Sequence, residues 1–236
     1  MKRWKLALLS GAGGGSAASS LLTSLAAYWQ LEEASGNRID ATGRGNDLSP
    51  VNTPGNATGK VGNGYAGVFA SSTYLSLADP VDLSMGDIDF TVACWVNFSE
   101  TVATTSGFIA KWNDSANNRE WFLGKFSSRF QFGISSNGTL ETFRQATTFG
   151  APLQNTWYFI VAWHDSVADT VNIQINDGTV DSTSYALGGR DGTAAFRLGA
   201  YRDTAFNFLS GTLDEAGVWK RVLTANERTA LYNGGS

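Results

Sequence analysis

The stretch FTVACWVNF, Phe90–Phe98, decides the fold. Phe90, Val92, Cys94, Val96 and Phe98 share one parity, and Thr91, Ala93, Trp95 and Asn97 share the other. Side chains of an extended strand point alternately to opposite faces, so this pattern predicts a half-buried strand. The same period of two recurs downstream. In RFQFGIS, Phe130, Phe132 and Ile134 alternate with Arg129, Gln131 and Gly133. In TVNIQIND, Val171, Ile173 and Ile175 alternate with Asn172, Gln174 and Asn176. GFIAKW, EWFLGKF, WYFIVAWHD and AFRLGAY read as further strands. Asn137-Gly138 and Asp177-Gly178 supply residues that tolerate positive φ, as hairpins require. Helical signals gather only in LTANERTALYNGG. There Thr224 is the N-cap, Glu227 completes a capping box, and Gly234 can end the helix. Many strands with regular turns and one C-terminal helix predict an all-β, two-sheet antiparallel sandwich.

Composition supports a core and excludes several functions. The chain has 236 residues, 42% of them hydrophobic and 16% charged, which is enough for one large β domain. Its net charge of −4 argues against a nucleic-acid surface, since phosphate binding needs clustered Lys and Arg. A single cysteine, Cys94, rules out an intrachain disulfide, and its apolar neighbours mark it as a buried structural thiol. A single histidine, His164, has no second His or Cys with which to hold zinc. No apolar run is long enough for a transmembrane helix.

Residues 1–24 differ from the rest. MKRWKLALLSGAGGGSAASSLL begins basic, turns briefly apolar at LALL and runs into Gly, Ser and Ala. The apolar core is short for a signal peptide, so the expectation is a retained docking arm; the alternative is a weak signal peptide. GAGGGS lacks the Gly-Lys-Ser/Thr ending of a phosphate loop. The domain then spans residues 25–236.

Two adjacent acids, Asp214 and Glu215, sit in the closing strand, in SGTLDEAGVW. Strand neighbours point to opposite faces, so this pair is not expected to share one substrate bond. A retaining glycosidase needs its carboxyl groups about 5 Å apart on one face. Asp87 and Asp89 come nearest to that spacing but lie in a turn. No nucleophile elbow is present. The expectation is a non-enzyme.

Aromatics are plentiful, with 8 Trp. Trp29, Trp95, Trp157, Trp163 and Trp219 lie in apolar strands and read as core. Trp112, Trp121 and Tyr201 border the polar loops KWNDSANNREW and AYRDTAF. Aromatic faces stack on sugar C–H surfaces while Asn113, Asp114, Arg119 and Arg202 can bond hydroxyls, so these residues form a candidate ligand site. Hairpin-end packing is the competing explanation.

The order of these segments resembles the laminin G-like domains of the concanavalin A-like lectin/glucanase superfamily. AYWQLEEASGNRIDATGRGNDLS resembles the opening strand and loop, and IDFTVACWVNF the first long core strand. GFIAKWND and WYFIVAWHDSVADTVNIQINDGTV resemble the middle strands. FRLGAYRDTAFNFLSGTLDEAGVWKRVLTANERTALYN resembles the closing strand and helix. The resemblance implies a jelly-roll sandwich that binds glycans or proteins, often through structural calcium. The glucanase motif Glu-x-Asp-x-x-Glu is missing. Carried over by position, Asp40 and Asp214 would supply side-chain oxygens to calcium, with carbonyls near Gly43 and Asn46. Otherwise Asp40 caps its own loop and the closing acids bond backbone amides. The basic-apolar leader running into glycines is similar in style to bacteriophage virion proteins carrying this domain. That implies a homo-oligomer on a virion surface, its arm bound to other virion proteins and its loops adhering to a glycan or host-surface ligand. The alternatives are a secreted bacterial carbohydrate-binding protein and a glycoside hydrolase.

Overall fold

A computed structural model describes residues 20–101, 104–114, 117–202 and 207–234. The greater part of the expected arm therefore lies outside the described residues. In chain order the strands are β1 (Leu25–Trp29), β2 (Ser49–Val51), β3 (Gly55–Thr58), β4 (Asn63–Gly67), β5 (Tyr74–Leu77), β6 (Phe90–Phe98), β7 (Ser106–Asn113) and β8 (Asn118–Phe126). There follow β9 (Arg129–Ile134), β10 (Thr142–Gln145), β11 (Trp157–Asp165), β12 (Thr170–Ile175), β13 (Asp181–Ser184), β14 (Phe196–Leu198) and β15 (Gly211–Trp219). Helix α1 covers Ala225–Gly234.

The strands form two antiparallel sheets. One runs β13-β12-β11-β6-β15-β4-β3, with β1 also paired to β15; the other runs β10-β9-β8-β7-β14-β5-β2. Phe90, Val92, Cys94, Val96 and Phe98 of β6 meet Phe130 and Phe132 of β9 between the sheets, as their parity requires. Burial pushes the Cys94 thiol far up, which leaves it an inert packing group.

The other parity of β6 differs from expectation. Ala93 and Trp95 do not face water: with Tyr28, Phe159, Trp163 and Trp219 they form a second apolar layer on the outside of the first sheet. Helix α1 covers this layer. Tyr232 stacks on Trp95 with ring centroids 5.7 Å apart, and Leu231 packs beside it. Each such side chain buried contributes about 1.5–3 kcal/mol. The helix is held by its capping box, in which Glu227 N–H donates to Thr224 Oγ1 and Thr224 N–H donates to Glu227 Oε2. Arg221 adds an ion pair to Glu227 at 2.7 Å, and this guanidinium keeps the carboxyl well down, at about 2. The described end of the arm docks here too. Ser20 Oγ donates to Glu227, Trp219 Nε1 donates to the Leu21 carbonyl, and Leu21 is buried in the second layer.

Candidate functional site

The outer face of the second sheet carries most of the expected ligand residues. Cross-strand register aligns Arg197 with Ala110, Ala110 with Phe122, and Phe122 with Gly133. Their strand neighbours Leu198, Ile109, Leu123 and Phe132 point into the core, so this row points out. Phe122 lies across Gly133, where a Cβ would come within 2.3 Å of its ring.

A bulge in β8 then decides which of its residues stands beside Trp112. Lys111 pairs with Trp121 while Trp112 pairs with Arg119, which leaves Glu120 as the extra residue of β8. The extra residue shifts the alternation by one. Arg119 is thereby turned outward beside Trp112, while Trp121 keeps the inward parity of Leu123. Trp121 is a core residue tilted against Phe90 and Phe196, not a ligand residue. That corrects the sequence expectation. Trp121 stands two residues before Leu123, so plain alternation already places it inward, and only its nearness to the polar loop suggested otherwise.

Around Trp112 the remaining residues converge. Asp114 Oδ1 accepts from Trp112 Nε1 at 2.8 Å and from Arg119 Nε at 2.9 Å, and Asp114 Oδ2 accepts from Arg202 Nη1. Arg119 lies over the Trp112 ring and Arg202 over the Tyr201 ring, each 5.7 Å from the centroid. Tyr201 packs against Trp112, Phe122 and Phe126. Burial pushes its phenol upward, so it stays neutral. Asn113 ends β7, paired with Asn118. Trp112 is fully buried and Tyr201 nearly so. The rings are therefore a foundation, and the groups that reach solvent are the guanidiniums and the Asp114 carboxylate.

Tyr201 and Arg202 arrive from far along the chain by a backbone crossing. Tyr201 N–H and Gly107 N–H both donate to the Asn207 carbonyl. Only a glycine admits this crossing, because a Cβ at position 107 would lie 2.1 Å from the Tyr201 nitrogen.

The expected calcium ligands lie elsewhere and are engaged separately. Asp40 Oδ1 accepts from the N–H groups of Tyr28 and Thr42, and Asp40 Oδ2 accepts from Asn46 N–H. The Thr42 hydroxyl bonds both oxygens. Asn46 uses its own side-chain amide on the Ala26 carbonyl, and Gly43 N–H donates to the Asp40 carbonyl. Asp214 Oδ2 accepts from Val61 N–H and its Oδ1 from Glu215 N–H. Calcium needs convergent oxygen ligands, whereas these carboxylates face N–H donors on different loops. The donor set fits two loop anchors and not a shared ion. No group of three or more His, Cys, Asp or Glu able to hold a metal occurs among the described residues. A chelator is accordingly expected to leave the melting midpoint unchanged; a drop that calcium restores would contradict this.

The closing acids also depart from alternation. Asp214 pairs with Trp95 and Gly217 with Ala93, so two residues of β15 oppose Cys94 alone. Leu213 and Ala216 both enter the core, which leaves Asp214 and Glu215 together on the outer side. Glu215 takes a φ of 50°, the left-handed region, to make the bulge. It lines a small cavity with Tyr28, Val61, Trp95, Phe159, Trp219 and Leu231. Glu215 Oε2 has no hydrogen-bond partner among the described residues. Burial pushes this carboxyl up to about 8. It also raises Asp214, to about 7, against the backbone N–H donors that favour its charge. The pair lies beneath the loop at Val61 and helix α1, away from the outer face of the second sheet.

A family model for the Concanavalin A-like lectin/glucanases superfamily matches residues 69–227, more than half of the chain. The chain belongs to this superfamily. No curated protein matches it. Among solved structures, this laminin G-like sandwich is similar to domain 4 of AbnA, an extracellular GH43 arabinanase from Geobacillus stearothermophilus in complex with arabinotriose. That match has a TM-score of 0.66 and 17% identity, over 88% of this chain and 98% of that one. It is also similar to the binding domain of Paraclostridial Mosquitocidal Protein 1 (TM-score 0.69, 15% identity, 89% and 52% covered). A third is botulinum neurotoxin type C, described as interacting with two ganglioside molecules (TM-score 0.65, 14% identity, 90% and 51% covered). The superfamily domain spans about half the length of those toxin chains. No helix among its described residues is long and apolar enough to cross a membrane.

Two charged residues of this lectin-like sandwich were not singled out from sequence. Lys111 and Glu120 are fully buried and bonded at 2.7 Å. The signal was available: Lys111 stands two residues after Ile109, at the parity of the core.

Proposed function

We propose that this domain is a non-catalytic binding module whose ligand is a glycan, taken at the outer face of the second sheet. The observation that carries the reading is the Arg119–Asp114–Arg202 cluster seated on the buried rings of Trp112 and Tyr201. The guanidiniums and carboxylate offer charged donors and acceptors to hydroxyls, and the packed rings fix their geometry. The acids that could suggest hydrolysis, Asp214 and Glu215, lie enclosed in apolar surroundings. The arabinotriose and ganglioside named for the structural neighbours support a glycan ligand by analogy of fold.

A glycan array is the first test, followed by titration of the strongest hit. Arg119→Ala and Arg202→Ala should each weaken binding by about tenfold or more, the loss of one charge-assisted hydrogen bond. Unchanged affinity in both variants, or an array with no hits, would remove the proposal. The proposed setting is a virion surface, reached through the N-terminal arm by a homo-oligomer, with bacterial secretion as the alternative. The native mass separates these, since secretion predicts loss of the leader.

A further inference from the structure

We propose that Lys111 and Asp79 condense into an amide cross-link, with Glu120 as the proton carrier. Lys111 stands on the core side of β7, between Phe196 of β14 and Trp121 of β8 in the sheet register. Its side chain is 0% exposed. Its Nζ lies 2.8 Å from Asp79 Oδ1, 2.7 Å from Glu120 Oε1 and 3.0 Å from Ser84 Oγ. Two carboxylates, one buried and one at the surface, converge on this one ammonium. Condensation removes one charge of each sign and leaves a single acid behind.

Each group is placed for its part. Lysine desolvated in an apolar site is a nucleophile once it loses a proton. Glu120 touches that proton through Oε1, while its Oε2 is buried with no hydrogen-bond partner among the described residues. Burial lifts this carboxyl to about 7 in spite of Lys111, so it can take up and return a proton near neutrality. The oxygen that Nζ touches at 2.8 Å is bonded directly to Cγ of Asp79, the carbon to be attacked. Asp79 holds a φ of 22° immediately before Pro80, a strained conformation for a non-glycine residue. Its side chain is 41% exposed, which opens a route for the leaving water.

The step balances. Glu120 takes a proton from the ammonium, and the free amine attacks Cγ of Asp79. The Nζ–Cγ bond forms and one Cγ–O bond breaks. The departing oxygen leaves as water with two of the three ammonium protons, the second delivered through Glu120. Ammonium and carboxylate become one amide and one water, with no oxidant, reductant or added reactant. The bond would tie the segment after β5 to β7 across 32 positions, in a chain whose one cysteine is free.

Peptide mapping of the denatured full-length chain tests this. The peptides bearing Asp79 and Lys111 are expected as one branched species, lighter than their sum by one water. Glu120→Gln is expected to return them as two separate peptides of full mass. Separate, unmodified peptides from the parent chain would overturn the proposal, and that measurement does not depend on the variant folding. A water loss mapped to Asp177-Gly178 or Asp191-Gly192 with those two peptides unlinked would overturn it equally, since Asp-Gly sequences lose water by closing on their own backbone.

Discussion

Glu215→Gln will be more stable than the parent chain at neutral pH, and its stability will fall less steeply between about pH 5 and pH 8. The carboxyl lines an apolar cavity, the residue is 9% exposed, and burial raises the carboxyl from 4.5 to about 8. Below the unfolded value both states carry the proton, and burial then costs little. Between the two values the unfolded chain ionises while the folded chain holds its proton, so stability falls as pH rises. Above the folded value the penalty levels off, at something on the order of 4 kcal/mol. Glutamine keeps the shape and cannot ionise, so this component of the slope disappears. Asp214 and Glu120, each lifted to about 7, leave a decline of the same sign in the variant. Denaturant melts of both proteins across this range are decisive. Parallel stability curves would mean that Glu215 is solvated or paired in solution.

Gly107→Ala is expected to cost about 3 kcal/mol or more, the upper range for overpacking. The added Cβ would lie 2.1 Å from the nitrogen of Tyr201, 2.4 Å from its Cα and 2.5 Å from the carbonyl carbon of Ala200. All three are backbone atoms, so no rotamer change relieves the clash. The crossing segment has to lift, taking Tyr201 off Trp112 and Arg202 off Asp114. Thermal melting, near-UV circular dichroism and glycan titration should therefore change together. Gly55→Ala is the control: its nearest neighbour would be Ala66 Cβ at 3.6 Å, an ordinary contact. If both variants melt within about a degree of the parent, the crossing is not as drawn.

These positions also show how far the chain can be read without coordinates. Phe90, Val92, Cys94, Val96 and Phe98 declared the core through strict alternation, because burial between two sheets is a period-two constraint. The opposite parity was harder. Trp95 and Ala93 are apolar too, but what covers them is a helix from the far end of the chain, and alternation alone does not name a cover. Trp112, Asp114 and Arg119 are near neighbours on one hairpin, so local composition marked them. Trp121 was misplaced because it borders a polar loop, although its parity with Leu123 is that of the core; the outward turn of Arg119 and the shared side of Asp214 and Glu215 have another reason. Bulges at Glu120 and Glu215 insert a residue into the ladder, and either side of an insertion the parity is right while across it the parity inverts. Lys111 shows the converse: its parity was correct, and only the discounting of charged residues hid it.

β15 is also placed at the middle of its sheet, against β6 on one side and both β1 and β4 on the other. Its residues, 211–219, are synthesised after every other strand of the sandwich. Until they leave the ribosome, β1 has no mate, β4 is paired only with β3, and β6 only with β11. Such edges invite pairing with other chains. This sheet therefore closes only once β15 has been made, and a chain shortened before β15 would lack the central strand that joins β6 to β1 and β4.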